Sequence, residues 1–209
     1  MMRSLCPAGA PDLHVSGLHK RFSGRRVLSG LSFDVASGEV VGVCGPNGSG
    51  KSTLLQLLCG LQRPSKGRIV YRGASEMTAL EARPFIGFAS PALNLYDDLS
   101  AVENLRFFAA WRGVPCDPAA LLRRVGLDPA RRDPLRAYSS GMRQRVKLAW
   151  AIQHNPPILM LDEPGSNLDE PGRAVVASLV EEWRERGWVM IASNDEEELA
   201  LCTRRVMLG

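Results

Sequence analysis

The chain lacks most features that would assign it quickly to a broad class. Nowhere in its 209 residues does a run of 18 or more uncharged apolar residues occur, so it offers no candidate for a bilayer-crossing helix. The N-terminus carries no uninterrupted apolar segment of the signal-peptide kind. Five cysteines (6, 44, 59, 116 and 202) are odd in number, and none forms a Cys-x-x-Cys pair. That argues against a disulfide framework or a zinc site and for a reducing compartment. Aromatics are 6% of the chain, only four of its 26 basic residues are lysine (20, 51, 66 and 147), and the net charge is +4. No aromatic-interleaved basic stripe accompanies that charge, so nucleic acid is not an expected direct partner. Only three histidines are present, at 14, 19 and 154. A soluble, cytoplasmic protein is the expectation.

Residues 45–53 supply what the bulk properties withhold: Gly45-Pro46-Asn47-Gly48-Ser49-Gly50-Lys51-Ser52-Thr53 is a complete phosphate-binding loop. Its glycines let the backbone curl so that consecutive N–H groups point at a polyphosphate. Lys51 places a point charge between the β- and γ-phosphates, and the Ser52 hydroxyl is a ligand for Mg²⁺. The flanks fit as well. Glu39 to Val43 is an apolar, β-branched run that predicts a buried strand, and Thr53 to Cys59 predicts a helix stopped by Gly60. The phosphates then meet that helix's positive end. A nucleoside triphosphate with Mg²⁺ is the expected ligand.

Along the chain, residues 1–11 predict a loose, flexible tail and residues 12–209 a single domain. The alternation from Leu13 to Val35 predicts strands with a turn at Ser23-Gly24, and Gly67 to Gly73 a short strand. Helical spacing dominates between about 98 and 154, which predicts a helical subdomain over about 92–155 inserted into an α/β core. Ile158 to Leu161 and Trp188 to Ala192 are continuous apolar runs, expected as parallel strands covered on both faces, with a helix over 173–186 joining them. The predicted fold class is therefore α/β: a phosphate-loop core with an antiparallel β subdomain and a helical insertion.

The first of those strands ends in Asp162-Glu163. Beside the phosphate loop, Asp162 would reach the Mg²⁺ shell opposite Ser52, and Glu163 would polarise an attacking water beyond the γ-phosphate. Between these two motifs stands Tyr138-Ser139-Ser140-Gly141-Met142-Arg143-Gln144-Arg145, followed by an amphipathic helix. With this segment the chain resembles the ATP-binding cassette family, specifically the nucleotide-binding subunit of a transporter. The likeness runs from about Leu13 to Gly209. It implies a homodimer or a paired cassette subunit, arranged head to tail so that Ser139, Ser140 and Gly141 close on the partner's γ-phosphate. It further implies adenine stacking on Phe22 and a role for Asp169, in Ser166-Asn167-Leu168-Asp169, in assembling the partner's site. Leu95 to Leu105 resembles the entry to the helical subdomain, where an integral-membrane subunit docks. The implied location is peripheral, on the cytoplasmic face of the membrane.

The chain departs from the family pattern at three places. Asn194 stands where a histidine would contact the γ-phosphate; it donates a hydrogen bond but carries neither charge nor a transferable proton. Ser90-Pro91 replaces a glutamine, which leaves the Ser90 hydroxyl or a water bridge to approach the metal. Met142 replaces the signature's terminal glutamine, a tolerable change if Ser139 and backbone groups make the anion contacts. The expectation is an ATPase, slowed at position 194, that energises an export-type transporter. In brevity the chain is similar to the haem-exporter ATPases of cytochrome c maturation, whose signature loop looks less like this one. The alternatives are a soluble cassette ATPase and a low-turnover nucleotide switch.

Overall fold

A computed structural model describes residues 9–209 of the chain. Most of the expected N-terminal tail lies outside the described residues. Its last part does not behave as a tail: Pro11 is buried, and its carbonyl accepts the Trp188 indole N–H at 2.9 Å. The folded unit therefore begins before residue 12.

Two sheets carry the architecture. An antiparallel sheet in the order β2-β1-β4-β5 uses β1 (Asp12–Phe22), β2 (Arg25–Val35), β4 (Lys66–Arg72) and β5 (Glu76–Thr78). A parallel sheet in the order β6-β7-β8-β3-β9 uses β3 (Val40–Cys44), β6 (Ile86–Ala89), β7 (Ile158–Asp162), β8 (Trp188–Ala192) and β9 (Arg204–Met207). The helices are α1 (Lys51–Leu58), α2 (Ala101–Arg112), α3 (Pro118–Arg124), α4 (Ser140–Ile152), α5 (Glu170–Arg186) and α6 (Glu196–Ala200).

Every residue of β3, β7 and β8 is buried, as their unbroken apolar runs require of a sheet covered on both faces. Alternate side chains of β7 serve two different cores. Ile158 and Met160 pack with α1 and the antiparallel sheet. Leu159 and Leu161 pack with α4, α5 and the helical layer. The helical insertion thus continues one of the two cores and does not stand apart.

Register places the site. Val43 pairs with Ala192, and Ala192 with Asp162, so the carboxyl ends of β3, β8 and β7 lie level with one another. Ligands of open parallel sheets bind beyond that rim. The phosphate loop, Asp162-Glu163 and Ser193-Asn194 all leave the sheet there.

Candidate nucleotide site

The cradle is shaped by backbone that only glycine adopts easily. Gly48 and Gly50 have φ of 82° and 103°, in the left-handed region open to glycine. A Cβ on Gly45 would sit 2.4 Å from the Leu208 carbonyl oxygen, and one on Gly50 would sit 2.7 Å from Val27 Cγ1. The loop can therefore curl between β9 and β2 only without side chains at these positions. Lys51, 6% exposed, donates from Nζ to the Gly45 carbonyl at 2.7 Å. No carboxylate pairs with it among the described residues, so its charge is left for an anion.

Beside the loop opens a cavity of about 490 Å³, lined by Asn47, Gly48, Gly50, Lys51, Ser52 and Thr53, with Glu163 at one side and Phe22, Arg25 and Val27 at the other. Phe22 is 43% exposed, and the Lys20 ammonium lies 4.6 Å from its ring centroid. A cation over one face of the ring helps fix it. Arg25 and Val27 are site residues that sequence reasoning missed. The signal was present in the Ser23-Gly24 turn: both residues have positive φ, the two-residue hairpin form, and this makes Phe22 and Arg25 cross-strand partners.

Asp162 is 3% exposed, and its Oδ1 has no hydrogen-bond partner. Burial, the largest influence, pushes its carboxyl upward; a hydrogen bond from Ser52 and the charge of Lys51 oppose this, and the charge of Glu163 adds to it. An orphaned buried carboxylate oxygen beside a serine hydroxyl is a hard-oxygen donor pair that fits Mg²⁺. The described residues hold no group of three His, Cys, Asp or Glu suited to a metal, so phosphate and water oxygens would complete the shell. Glu163 follows with φ of 47°, its N–H donating to the Ala192 carbonyl at 2.8 Å. Positive φ on a non-glycine residue is strain of the kind that collects at working sites.

The departures from the family pattern are also placed. The Asn194 amide donates to Asn47 Oδ1 at 3.0 Å, which brings position 194 onto the phosphate loop. Ser90 is 2% exposed and does not line the cavity. Its backbone carbonyl and that of Pro91 accept from the Lys147 ammonium, the latter at 2.7 Å. His154 lies far from this chemistry: it meets Arg112, and burial lowers it to about 3, with the Arg112 charge adding to that effect.

The signature residues stand elsewhere. Ser139 and Ser140 are exposed, and neither they nor Gly141 nor Asp169 lines the cavity of their own chain. Ser139 caps α4 by accepting from the Met142 N–H at 3.2 Å. A Cβ on Gly141 would lie 2.6 Å from the Asn167 carbonyl oxygen, so the signature turn packs against the 166–169 loop. Asp169 caps α5 through the Gly172 N–H and pairs with Arg145 of α4. Signature helix and loop thereby form one joined face.

Cradle, unpaired lysine and orphaned carboxylate together define a phosphate-loop protein that binds a nucleoside triphosphate. The family model described as "ABC transporter" matches residues 28–166. The chain is 39% identical over 165 residues to an uncharacterized ABC transporter ATP-binding protein, YdbJ, of Bacillus subtilis, covering 78% of this chain and 54% of that one. It is 36% identical over 198 residues to the cytochrome c biogenesis ATP-binding export protein CcmA of Rhodopseudomonas palustris, covering 92% and 96%. Among solved structures, a putative ABC transporter ATP-binding protein from Pyrococcus furiosus superposes with a TM-score of 0.81 at 28% identity, covering 94% and 97%. The chain belongs to the ATP-binding cassette transporter family, as an ATP-binding subunit.

Proposed function

We propose that this chain binds Mg²⁺ and ATP, hydrolyses ATP and uses the cycle to energise a membrane transporter that works in the export direction. The observation that carries the reading is the meeting of an unpaired, buried Lys51 with Glu163 across one cavity. Lys51 and the loop N–H groups bind and orient the triphosphate. Phe22 stacks on the purine, and Arg25 supplies a second cation on the same side. Ser52 and Asp162 would hold Mg²⁺, which supplies charge neutralisation on the β- and γ-phosphates when bound. Glu163 orients the attacking water and takes its proton. Asn194 donates a neutral hydrogen bond toward the same phosphate, in reach of Asn47.

A head-to-tail pair of chains completes the site. The absence of Ser139, Ser140 and Gly141 from their own chain's cavity supports this, because those residues then face outward toward a partner. The partner chain is a second copy or a paired cassette subunit. An integral-membrane subunit docks on the helical layer, where Tyr96, Phe107 and Trp111 are 51%, 46% and 79% exposed. Large aromatics left in water on one surface are typical of an interface. On this reading the chain works peripherally, on the cytoplasmic face of the membrane. Relatives bearing export names, CcmA among them, support the direction.

A low-turnover switch is the second reading, favoured by the neutral amide at 194. Turnover of the purified protein with Mg²⁺ and ATP, native against Glu163→Gln, separates the two. The expected loss is about 10²- to 10⁴-fold, the usual worth of a positioned base, with nucleotide binding retained. A variant as fast as the native chain would remove Glu163 from the chemistry.

A further inference from the structure

We propose that Glu198 is a positioning residue for hydrolysis: its buried carboxylate joins the loop carrying Glu163 to the strand end carrying Asn194. The inference rests on the reading of Glu163 as the base.

Glu198 differs from the other acids of α6. Glu196 and Glu197 are exposed and paired with Arg205 and Arg173. Glu198 is 6% exposed and has no cation partner among the described residues. Its Oε1 accepts the Gly165 N–H at 2.5 Å, while Oε2 is buried without a partner. Burial raises its carboxyl above the usual range, and the Ser193 hydroxyl and then the Gly165 N–H pull it back.

Gly165 lies two residues beyond Glu163, and Ser193 directly precedes Asn194. The Glu163 N–H already bonds to the Ala192 carbonyl. Glu198, carried on α6 just after Asn194, supplies a second tie between the same two segments through its bond from the Gly165 N–H. A buried carboxylate with one bonded oxygen and no counter-charge is costly to fold, and an apolar side chain of similar size avoids that cost. The contact is also close-fitting: a Cβ on Gly165 would sit 2.3 Å from Oε1. An acceptor held this tightly fixes how far Glu163 stands from position 194.

The test measures kcat and KM for ATP, at saturating Mg²⁺, on full-length Glu198→Ala, Glu198→Gln and Gly165→Ala, with thermal melts to confirm folding. Glu198→Ala should lower kcat by about 10- to 100-fold, the scale of a small misplacement of a catalytic group, with KM little changed. Glu198→Gln keeps a carbonyl oxygen for Gly165 and should recover most of the rate. Gly165→Ala, whose backbone has no positive φ to strain, should slow the native chain but add nothing in the Glu198→Ala background. If Glu198→Ala folds poorly, Gly165→Ala alone decides the matter, because its Cβ displaces the same contact: a folded Gly165→Ala with native kcat overturns the proposal. Native kcat in Glu198→Ala, a folded Glu198→Gln as slow as Glu198→Ala, or a loss confined to KM overturns the proposal. A Glu163→Gln chain with full turnover would fail the underlying reading separately, whatever the Glu198 variants do.

Discussion

Among the described residues, two of the six α-helices, α1 and α4, begin without a carboxylate at the cap or in the first turn, and they differ in how they are finished. Asp117, Asp169 and Asp195 cap α3, α5 and α6, and Glu103 closes a capping box on α2. At α1, Gly50 caps in the left-handed conformation with no side-chain bond. Its first N–H groups therefore stay open toward the cavity, beside a buried lysine. At α4 the neutral Ser139 hydroxyl satisfies one N–H, and Ser139 and Ser140 are exposed to solvent. A helix start free of acid favours an anion. One such start is enclosed within its own chain and the other is turned outward. On the head-to-tail arrangement proposed above, binding is built into one chain, whereas completing the phosphate's surroundings is left to another.

The comparison breaks most visibly if each end is disabled in turn. Lys51→Met should abolish both nucleotide binding and turnover. Ser139→Arg puts bulk and charge at the outward start; it should abolish turnover while a single chain still binds ATP. Mixed together, the two inactive proteins should regain activity, because a head-to-tail pair then contains one intact lysine cradle facing one intact signature turn. Equilibrium binding and steady-state turnover check this. Turnover still absent in the mixture, with both variants folded, would mean that the outward helix start does not complete a partner's site.

The two ends were not equally legible in the sequence. The cradle was, because its chemistry is local: nine consecutive residues carry the glycines, the lysine and the hydroxyl, and the adjoining strand and helix announce themselves by apolar runs. Strands β7 and β8 were readable for the same reason, and β8 has the expected bounds. Short, charged edge elements were not. Strand β9 buries only Val206, β5 buries none of its three residues, and α6 is an acidic pentapeptide, so neither period nor apolarity marks them. Hairpin β1–β2 spans the stretch that the alternation marks, with shifts of register inside it. Lys147 and Glu198 act through partners distant in sequence, and no local signal names such partners.

A smaller effect is expected at position 194, where the enclosed end has only neutral help. Asn194→His should speed turnover by about one to two powers of ten if the lost contact is worth about 2–3 kcal/mol, as other positioned donors are. The amide's bond to Asn47 is the competing consideration, since it already ties the strand end to the loop. Steady-state rates decide between them. A histidine variant no faster than the native chain would show that this tie has replaced the missing contact.

Each end is also pinned by a carboxylate–guanidinium pair, and these give the mildest test. Asp169 with Arg145 holds the signature face, and Glu39 with Arg204, at 2.7 Å, joins the start of β3 to β9 behind the cradle. Chiefly the hydrogen bond from Arg204 holds Glu39 below its ordinary 4.5. A carboxyl lowered on folding stabilises the fold above its unfolded value and loses that contribution as pH falls through the folded one. Both partners are about a third exposed, so the pair should contribute less than about 1 kcal/mol. Glu39→Gln should therefore melt slightly below the native protein at pH 7, and the gap should close under acid below the ordinary carboxylate range. A gap that persists there would assign the loss to the packing of the β3–β9 edge and not to charge, leaving the cradle's support independent of pH.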